Sequence, residues 1–365
     1  MNSQSPWRTE SPIATGFAPA APLSASTGAT RYAGPIWALI LLAPFIAEVL
    51  SGATRLSVLF AFIPETMVWG CGALLCRELV RRWRAGSVSL LLLGLGLSIA
   101  EEFVIQQTSL APLPFPGVHA DYGRALGVNW LYFLFMLGYE SVFVVLVPVA
   151  ITELLFPARR NPPWLRTRGF FATWIVFGVG SLLAGYAWIK RARPALHAAP
   201  YRPPLLTVAA GVVAILLLGC TAYALRGAPK SVPGSARKIV NPWFAGAMAF
   251  VLATGWDWLI SLPFMTVRFA AWIPIAGGCA WALVAFLLMQ RWSRSPGWAE
   301  PGRGELARWS LAFGSILPMF TVSYLTTKGW KHSDLAFKAI LNLLAFAGLV
   351  WLGAKVCSRG PRSAA

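Results

Sequence analysis

The chain has 365 residues, of which 57% are hydrophobic and only 12% are charged, and its net charge is +18. Soluble domains average about 25% charged residues, so this composition excludes an ordinary soluble protein and favours a membrane protein. The bases lie between long apolar runs instead of forming one patch, which argues against nucleic-acid binding and indicates a role in membrane orientation.

Residues 1–33 are rich in Ser, Thr, Pro and Ala and lack the apolar core of a secretory signal peptide. They predict a disordered cytoplasmic tail. From residue 34 onward, apolar runs recur whose length suits a helix that crosses a bilayer. We predict an all-α polytopic transmembrane helical bundle of about ten spans. The predicted spans cover residues 35–51, 57–76, 88–108, 128–156, 170–189, 205–225, 243–265, 272–290, 309–327 and 335–355.

The positions of Lys and Arg predict the orientation of these spans. With the N-terminus in the cytoplasm, most bases fall on the cytoplasmic side, as does the tail at 357–365, which predicts N-in/C-in in a bacterial inner membrane. One segment does not fit this orientation, because its bases would then face outward: Lys190, Arg191, Arg193 and Arg202. The span count around residues 170–205 therefore stays open by one.

The acidic residues divide the chain unevenly. The first four predicted spans hold most of the glutamates, whereas Asp257 is the only acid in the apolar runs after them. We therefore predict a four-span acid-rich half at 34–157 and a six-span half at 158–356 that packs, shields or oligomerises. A single membrane domain fits the sequence equally well.

Glu101 and Glu102 stand side by side within the apolar run 88–108. A charged residue at the centre of a membrane helix costs at least about 2.5–3.5 kcal/mol, so an ionisable residue there indicates a function. Repulsion between close carboxylates favours retention of a shared proton. Ser98, Glu102 and Gln106 follow at helical spacing and predict one polar stripe.

Three more glutamates lie at depths that overlap that of the pair, at about 1.5 Å per helical residue. They predict an acidic pocket open to the outer face, and the alternative is that each carboxyl bonds a separate neighbour. Pro44, Pro64 and Pro148 accompany these acids and free backbone carbonyls nearby. The predicted ligand or ion pocket comprises Glu48, Glu65, Glu101, Glu102, Gln106, Tyr139 and Glu140.

Other polar residues receive simpler interpretations. The proline-containing segment 109–127 predicts an extended outer loop that covers the pocket. We predict that Glu78 and Glu153 form ion pairs with nearby arginines at the cytoplasmic surface. We predict that the Lys338 side chain reaches the membrane interface or pairs with Asp334. A pair with Asp257 is the less favoured alternative. The five cysteines are scattered and show no spacing typical of metal ligands, so we predict no metal and no cofactor.

The run IAEEFVIQ, from Ile99 to Gln106, resembles the E-E-x-x-x-R motif of the CAAX-protease and bacteriocin-processing family of intramembrane proteases. The resemblance implies that Glu101 activates water for peptide hydrolysis, with Glu102 beside it. Gln106 stands in the place of the family's arginine, and no histidine lies in an apolar run. Elsewhere the chain resembles an uncharacterised bacterial polytopic membrane protein.

Three functions stay open at this point. The acids bind or transport a proton, a cation or an amine-bearing solute, or they serve a remote or inactive intramembrane peptidase. In the third alternative, the acids bind a basic helix of a partner protein, and the chain is a membrane scaffold or assembly subunit. The expected partners are the lipid bilayer, a small cation or solute, and a membrane partner protein, with no nucleic acid.

Overall fold

The computed structural model describes residues 32–113, 119, 121–198, 201–227, 241–261, 263, 266, 269–293, 295, 298 and 302–359. The predicted N-terminal tail lies almost wholly outside these residues, as does most of the tail at 357–365. Within them, ten long helices follow one another: α1 (Ala33–Leu50), α2 (Leu56–Arg82), α3 (Ser87–Ile105), α4 (Trp130–Leu155), α5 (Thr167–Ala195), α6 (Leu205–Ala224), α7 (Pro242–Trp256), α8 (Trp272–Ser293), α9 (Arg303–Ile316) and α10 (His332–Cys357).

Eight of these helices are long and apolar enough to cross a membrane, namely α1–α6, α8 and α10. The all-α polytopic fold predicted from the sequence is thereby confirmed. The other two predicted spans begin as the shorter helices α7 and α9. The first continues as the π turn Asp257–Ser261, and the second as the 3₁₀ turns Leu317–Phe320 and Val322–Thr326.

Several helices widen from α to π geometry along their length. Such turns hold an extra residue, so side-chain positions on either side rotate relative to an uninterrupted α-helix. The four turns that matter for the acids lie in α1 (Phe45–Leu50), α2 (Thr66–Gly70), α3 (Ala100–Ile105) and α4 (Ser141–Leu146).

The first four helices form the interior of the bundle. Half of the residues in the apolar stretch of each of α1–α4 are buried, compared with 11–22% in α5, α6, α8 and α10. The later helices instead present large apolar side chains outward, among them Leu182, Leu206 and Leu343. In a membrane protein this surface suits lipid. The acid-rich helices are therefore more buried than the later helices, although α1 and α2 also expose large apolar side chains such as Trp37 and Phe60.

Helices α1 and α2 approach each other at an unusually close point. Pro44 has no N–H and so leaves the carbonyl of Ile40 without its helical donor. Gly70 packs against that carbonyl, and a Cβ at this position would lie 2.2 Å from Ile40 O. The freed carbonyl of Ile40 thus packs against the glycine backbone of α2.

The loop between α3 and α4 contains a small antiparallel hairpin. Strand β1 (Arg124–Ala125) pairs with β2 (Val128–Asn129), with Arg124 opposite Asn129. The hairpin is tied to the start of the same loop, because Asn129 N–H donates to Ser109 O at 2.9 Å. Arg124 reinforces this fold by donating to Leu110 O at 2.5 Å.

Candidate functional site

The five predicted pocket glutamates all lie in or beside the π turns of α1–α4. Glu48 lies within the turn of α1, and Glu101 and Glu102 lie within that of α3. Glu65 and Glu140 directly precede the turns of α2 and α4. Because π turns recur at functional sites, their coincidence with the acids on four helices supports a shared role.

The structure brings these glutamates into one cluster, which we call the acidic cluster. Glu101 is close enough to interact electrostatically with Glu102, Glu48 and Glu65. Glu140 does so with Glu102, Glu101 and Glu48. Glu48 is half-buried, and the other four are buried. Four helices thus bring like charges together away from bulk water.

Hydroxyl groups serve three of the carboxyls, and Ser98 serves Glu140. Thr54 Oγ1 donates to Glu65 Oε1 at 2.5 Å. Ser109 donates to Glu102 through both its hydroxyl, at 2.6 Å, and its backbone N–H. Ser109 is the first residue of the predicted segment 109–127, so this end of the segment contacts the acidic pair.

Glu101 differs from its neighbours. It is only 3% exposed, and neither carboxyl oxygen has a hydrogen-bond partner within the part of the chain that the structure describes. One oxygen each of Glu65 and Glu140 is likewise buried without a described partner. A buried carboxylate without donors is strongly disfavoured, so this position favours a bound proton or a bound cation.

The remaining predicted site residues lie beside the cluster in different ways. Tyr139 donates its hydroxyl to the carbonyl of Ala47 at 2.5 Å and so joins α4 to the residue before Glu48. Gln106 is half-buried at the end of α3. No hydrogen bond between described residues joins its side-chain amide to a glutamate carboxyl. The π turn after Ser98 removes the uninterrupted stripe expected from the sequence.

Tyr132 is the residue that the predicted pocket omits. Its phenol lies within electrostatic range of four acids: Glu48, Glu101, Glu102 and Glu140. It lies in the first turn of α4, where its N–H donates to Asn129 Oδ1 at 2.9 Å. The sequence could have indicated Tyr132, because it lies on a polar face of the fourth apolar run. The donors Thr54 and Ser109 lie outside the predicted spans, so nothing in the sequence indicated that they belong to the site.

Neither a metal centre nor a histidine accompanies the cluster in the described residues. No group of three or more His, Cys, Asp or Glu residues there could hold a metal ion. His119, His197 and His332 are all exposed.

Two cavities, of about 300 and 100 Å³, are lined by residues other than the five glutamates. The larger one lies between α7 and α8 and is lined by Phe250, Val251, Thr254, Gly255, Trp258 and Trp281.

A second polar centre lies at the other end of α2 and α4, and we call it the arginine network. Arg77 pairs with Glu78 at 3.0 Å and with Glu153 at 3.3 Å, while Arg81 and Arg160 also pair with Glu153. Glu78 is fully buried and Arg77 is 1% exposed, so the expectation of surface pairs is wrong. Packing of the loop after α4 over these helix ends removes them from water.

That loop is held by the network itself. Glu78 accepts from the backbone N–H groups of Trp164 and Leu165, at 2.8 and 3.1 Å. Arg77 donates to the carbonyls of Arg160 and Pro162 and stacks 3.4 Å from the centre of the Trp164 ring. Burial lowers the pKa of the loop residue Arg160, an effect that Glu153 opposes. The ion pairs therefore anchor the loop to the membrane helices.

The acidic cluster and the arginine network share two helices. The interval from Glu65 to Glu78 in α2 equals that from Glu140 to Glu153 in α4. At about 1.5 Å per residue, the two centres are about 20 Å apart along the helices. They are therefore separate sites at different depths of the same bundle.

Lys338 does not reach the interface and does not pair with an acid in the described residues. It is 1% exposed and donates to the carbonyl of Leu50, at the end of α1, at 2.5 Å. Asp334 instead accepts from the backbone N–H and hydroxyl of Ser57, at 2.9 and 3.0 Å. Both expectations for Lys338 are wrong because α10 packs against the end of α1 and the start of α2.

Comparison with known proteins places the chain in a family. No curated protein and no solved structure matches it. A family model described as "Uncharacterized membrane protein family" matches residues 38–363, which is most of the chain. This is not the CAAX-protease family, so the resemblance around Glu101 stays a hypothesis. The chain belongs to this uncharacterized family of membrane proteins.

Proposed function

We propose that this chain is a multi-pass transport or binding protein of the bacterial inner membrane that takes up protons at the acidic cluster. The observation that carries the proposal is Glu101, whose two carboxyl oxygens are buried and have no partner among the described residues. A bound proton neutralises such a group without requiring any further ligand.

The surroundings of Glu101 favour a proton over the other cations considered. A metal ion needs several converging ligands, and no such group occurs in the described residues. An amine-bearing solute needs a cavity, and the five glutamates line neither of the two cavities described above. The neighbouring carboxyls of Glu48, Glu102 and Glu140 offer sites between which a proton can pass.

The orientation of the spans gives the uptake a direction. With ten spans and both termini in the cytoplasm, the acidic cluster lies in the outer half of the membrane and the arginine network at the cytoplasmic end. Glu48 is the least buried of the five acids and is the natural point of proton entry. The loop that begins at Ser109 then closes the cluster from the outer side.

Proton flux into proteoliposomes tests the proposal. The full-length chain is reconstituted with an internal pH-sensitive dye, and a membrane potential is imposed with potassium and valinomycin. We expect Glu101→Gln and Glu102→Gln each to abolish the flux. Glu305→Gln changes an acid outside the cluster and should leave the flux unchanged.

Two results would contradict the proposal. If both cluster variants retain full flux, the acids do not carry the proton. If Glu305→Gln loses the flux as completely as they do, the loss reflects damage to the fold. Size-exclusion profiles of all three variants separate a folded inactive protein from a misfolded one.

The intramembrane peptidase reading has less support. A glutamate that activates water needs a positioned partner to stabilise the developing oxyanion. The histidines that would accompany Glu101 in the resembled family have no counterpart near it, because all three histidines of this chain are exposed.

A further inference from the structure

A small cavity lies beside the arginine network, at the end of α2. Its volume is about 100 Å³, and it is lined by Val80, Arg81, Arg84, Ala85 and Asn161. The three polar residues among these all carry N–H donors, and no carboxylate is among the lining residues. The lining therefore suits an acceptor, and its charge suits an anion.

Arg81 lines this cavity and does not use all of its donors. It pairs with Glu153, but its Nε is buried and has no hydrogen-bond partner among the described residues. Arg84 follows in a left-handed turn with φ of 55°, a conformation that arginine rarely adopts. The turn is closed by Ala85 N–H, which donates to Val80 O at 2.9 Å. This left-handed turn ends helix α2 and places Arg84 among the residues that line the cavity.

A further basic residue interacts with Arg81. Arg308 of α9 has two buried nitrogens, Nε and Nη1, without partners in the described part of the chain. It lies within electrostatic range of Arg160 and Arg81, and also of Glu153 and Glu305. Three guanidinium groups therefore share two carboxylates, and several of their N–H groups remain unused.

We propose that this cavity binds a phosphate group, supplied by the headgroup of an anionic phospholipid or by free phosphate. Guanidinium groups form their strongest hydrogen bonds with phosphate and carboxylate oxygens. The position at the helix ends suits a headgroup, because basic residues next to membrane helices attract anionic lipid. The inference does not depend on proton uptake at the acidic cluster.

Binding to the full-length chain purified in neutral detergent tests this site. Three probes are titrated by microscale thermophoresis: a short-chain phosphatidylglycerol, a phosphatidylcholine of the same chain length, and inorganic phosphate. We expect Arg84→Gln to weaken binding of the anionic probe by about tenfold, which corresponds to the loss of one charge-assisted hydrogen bond. Arg168→Gln, at an exposed position at the start of α5, is the matched control and should bind like the wild type.

The probes also distinguish the source of the phosphate. Binding of phosphatidylglycerol without inorganic phosphate assigns the site to lipid, and binding of inorganic phosphate at similar strength assigns it to the free ion. Equal affinity for the two lipids, with no binding of phosphate, would overturn the proposal. So would wild-type affinity in Arg84→Gln, whose exposed side chain forms none of the described ion pairs and whose loss should leave the fold intact.

Discussion

Replacing Arg77 by methionine should destabilise the chain more than any other single change in the arginine network. Arg77 is 1% exposed and donates to Glu78, to Glu153 and to the carbonyls of Arg160 and Pro162. Removal takes one donor from each of these acceptors, and a buried acceptor that is left wholly unmet costs about 1–3 kcal/mol.

The total is smaller than the sum of these terms, because the acceptors keep other donors. Glu78 retains two backbone N–H groups, and Glu153 retains Arg81 and Arg160. Methionine also fills part of the vacated volume. We therefore expect the free energy of unfolding to fall by about 3–5 kcal/mol, the range for breaking a buried ion pair.

Unfolding in mixed micelles of rising SDS content measures this change. The 18 tryptophans of the chain provide the fluorescence signal. Arg168→Met, at an exposed position of the same charge, should stay within about 0.5 kcal/mol of wild type. A loss below about 1 kcal/mol for Arg77→Met would refute the view that the buried network anchors the loop after α4.

Three further predictions concern packing, a helix contact and pH. Gly70→Ala should cost about 1–3 kcal/mol, because its Cβ would overlap the backbone of α1, whereas Gly178→Ala meets open space and should be neutral in the same SDS titration. Asp334→Ala removes both hydrogen bonds from Ser57 and should cost about 1–3 kcal/mol, and Ser57→Ala should cost less because it removes only one; equal losses would contradict this. Burial raises the pKa of Tyr201 to about 12, so the folded chain holds the phenol proton more tightly than the unfolded chain does. Stability should therefore fall as the pH rises from about 10 to about 12, and a Tyr201→Phe variant with the same alkaline profile as wild type would disprove the assignment.

Depth in the membrane could be predicted from the sequence because it depends on position along a helix. Glu48, Glu65, Glu101 and Glu140 were placed at overlapping depths from their intervals to the span ends, and the structure brings them close together. The direction in which each side chain points round the helix axis was less predictable than its depth. The π turn at Ala100–Ile105 changes the angle between residues before and after it.

By itself, the sequence determined that this chain is a polytopic helical membrane protein, because each apolar run in lipid must satisfy its own backbone hydrogen bonds and so folds as a helix. It also determined which helices carry ionisable groups. Tertiary structure alone decided the partners of those groups: Arg77 and Glu78 are buried under the loop after α4, and Lys338 bonds a carbonyl of α1 instead of an acid. Partner choice depends on how helices rotate and pack against one another, which the apolar pattern of each helix does not specify.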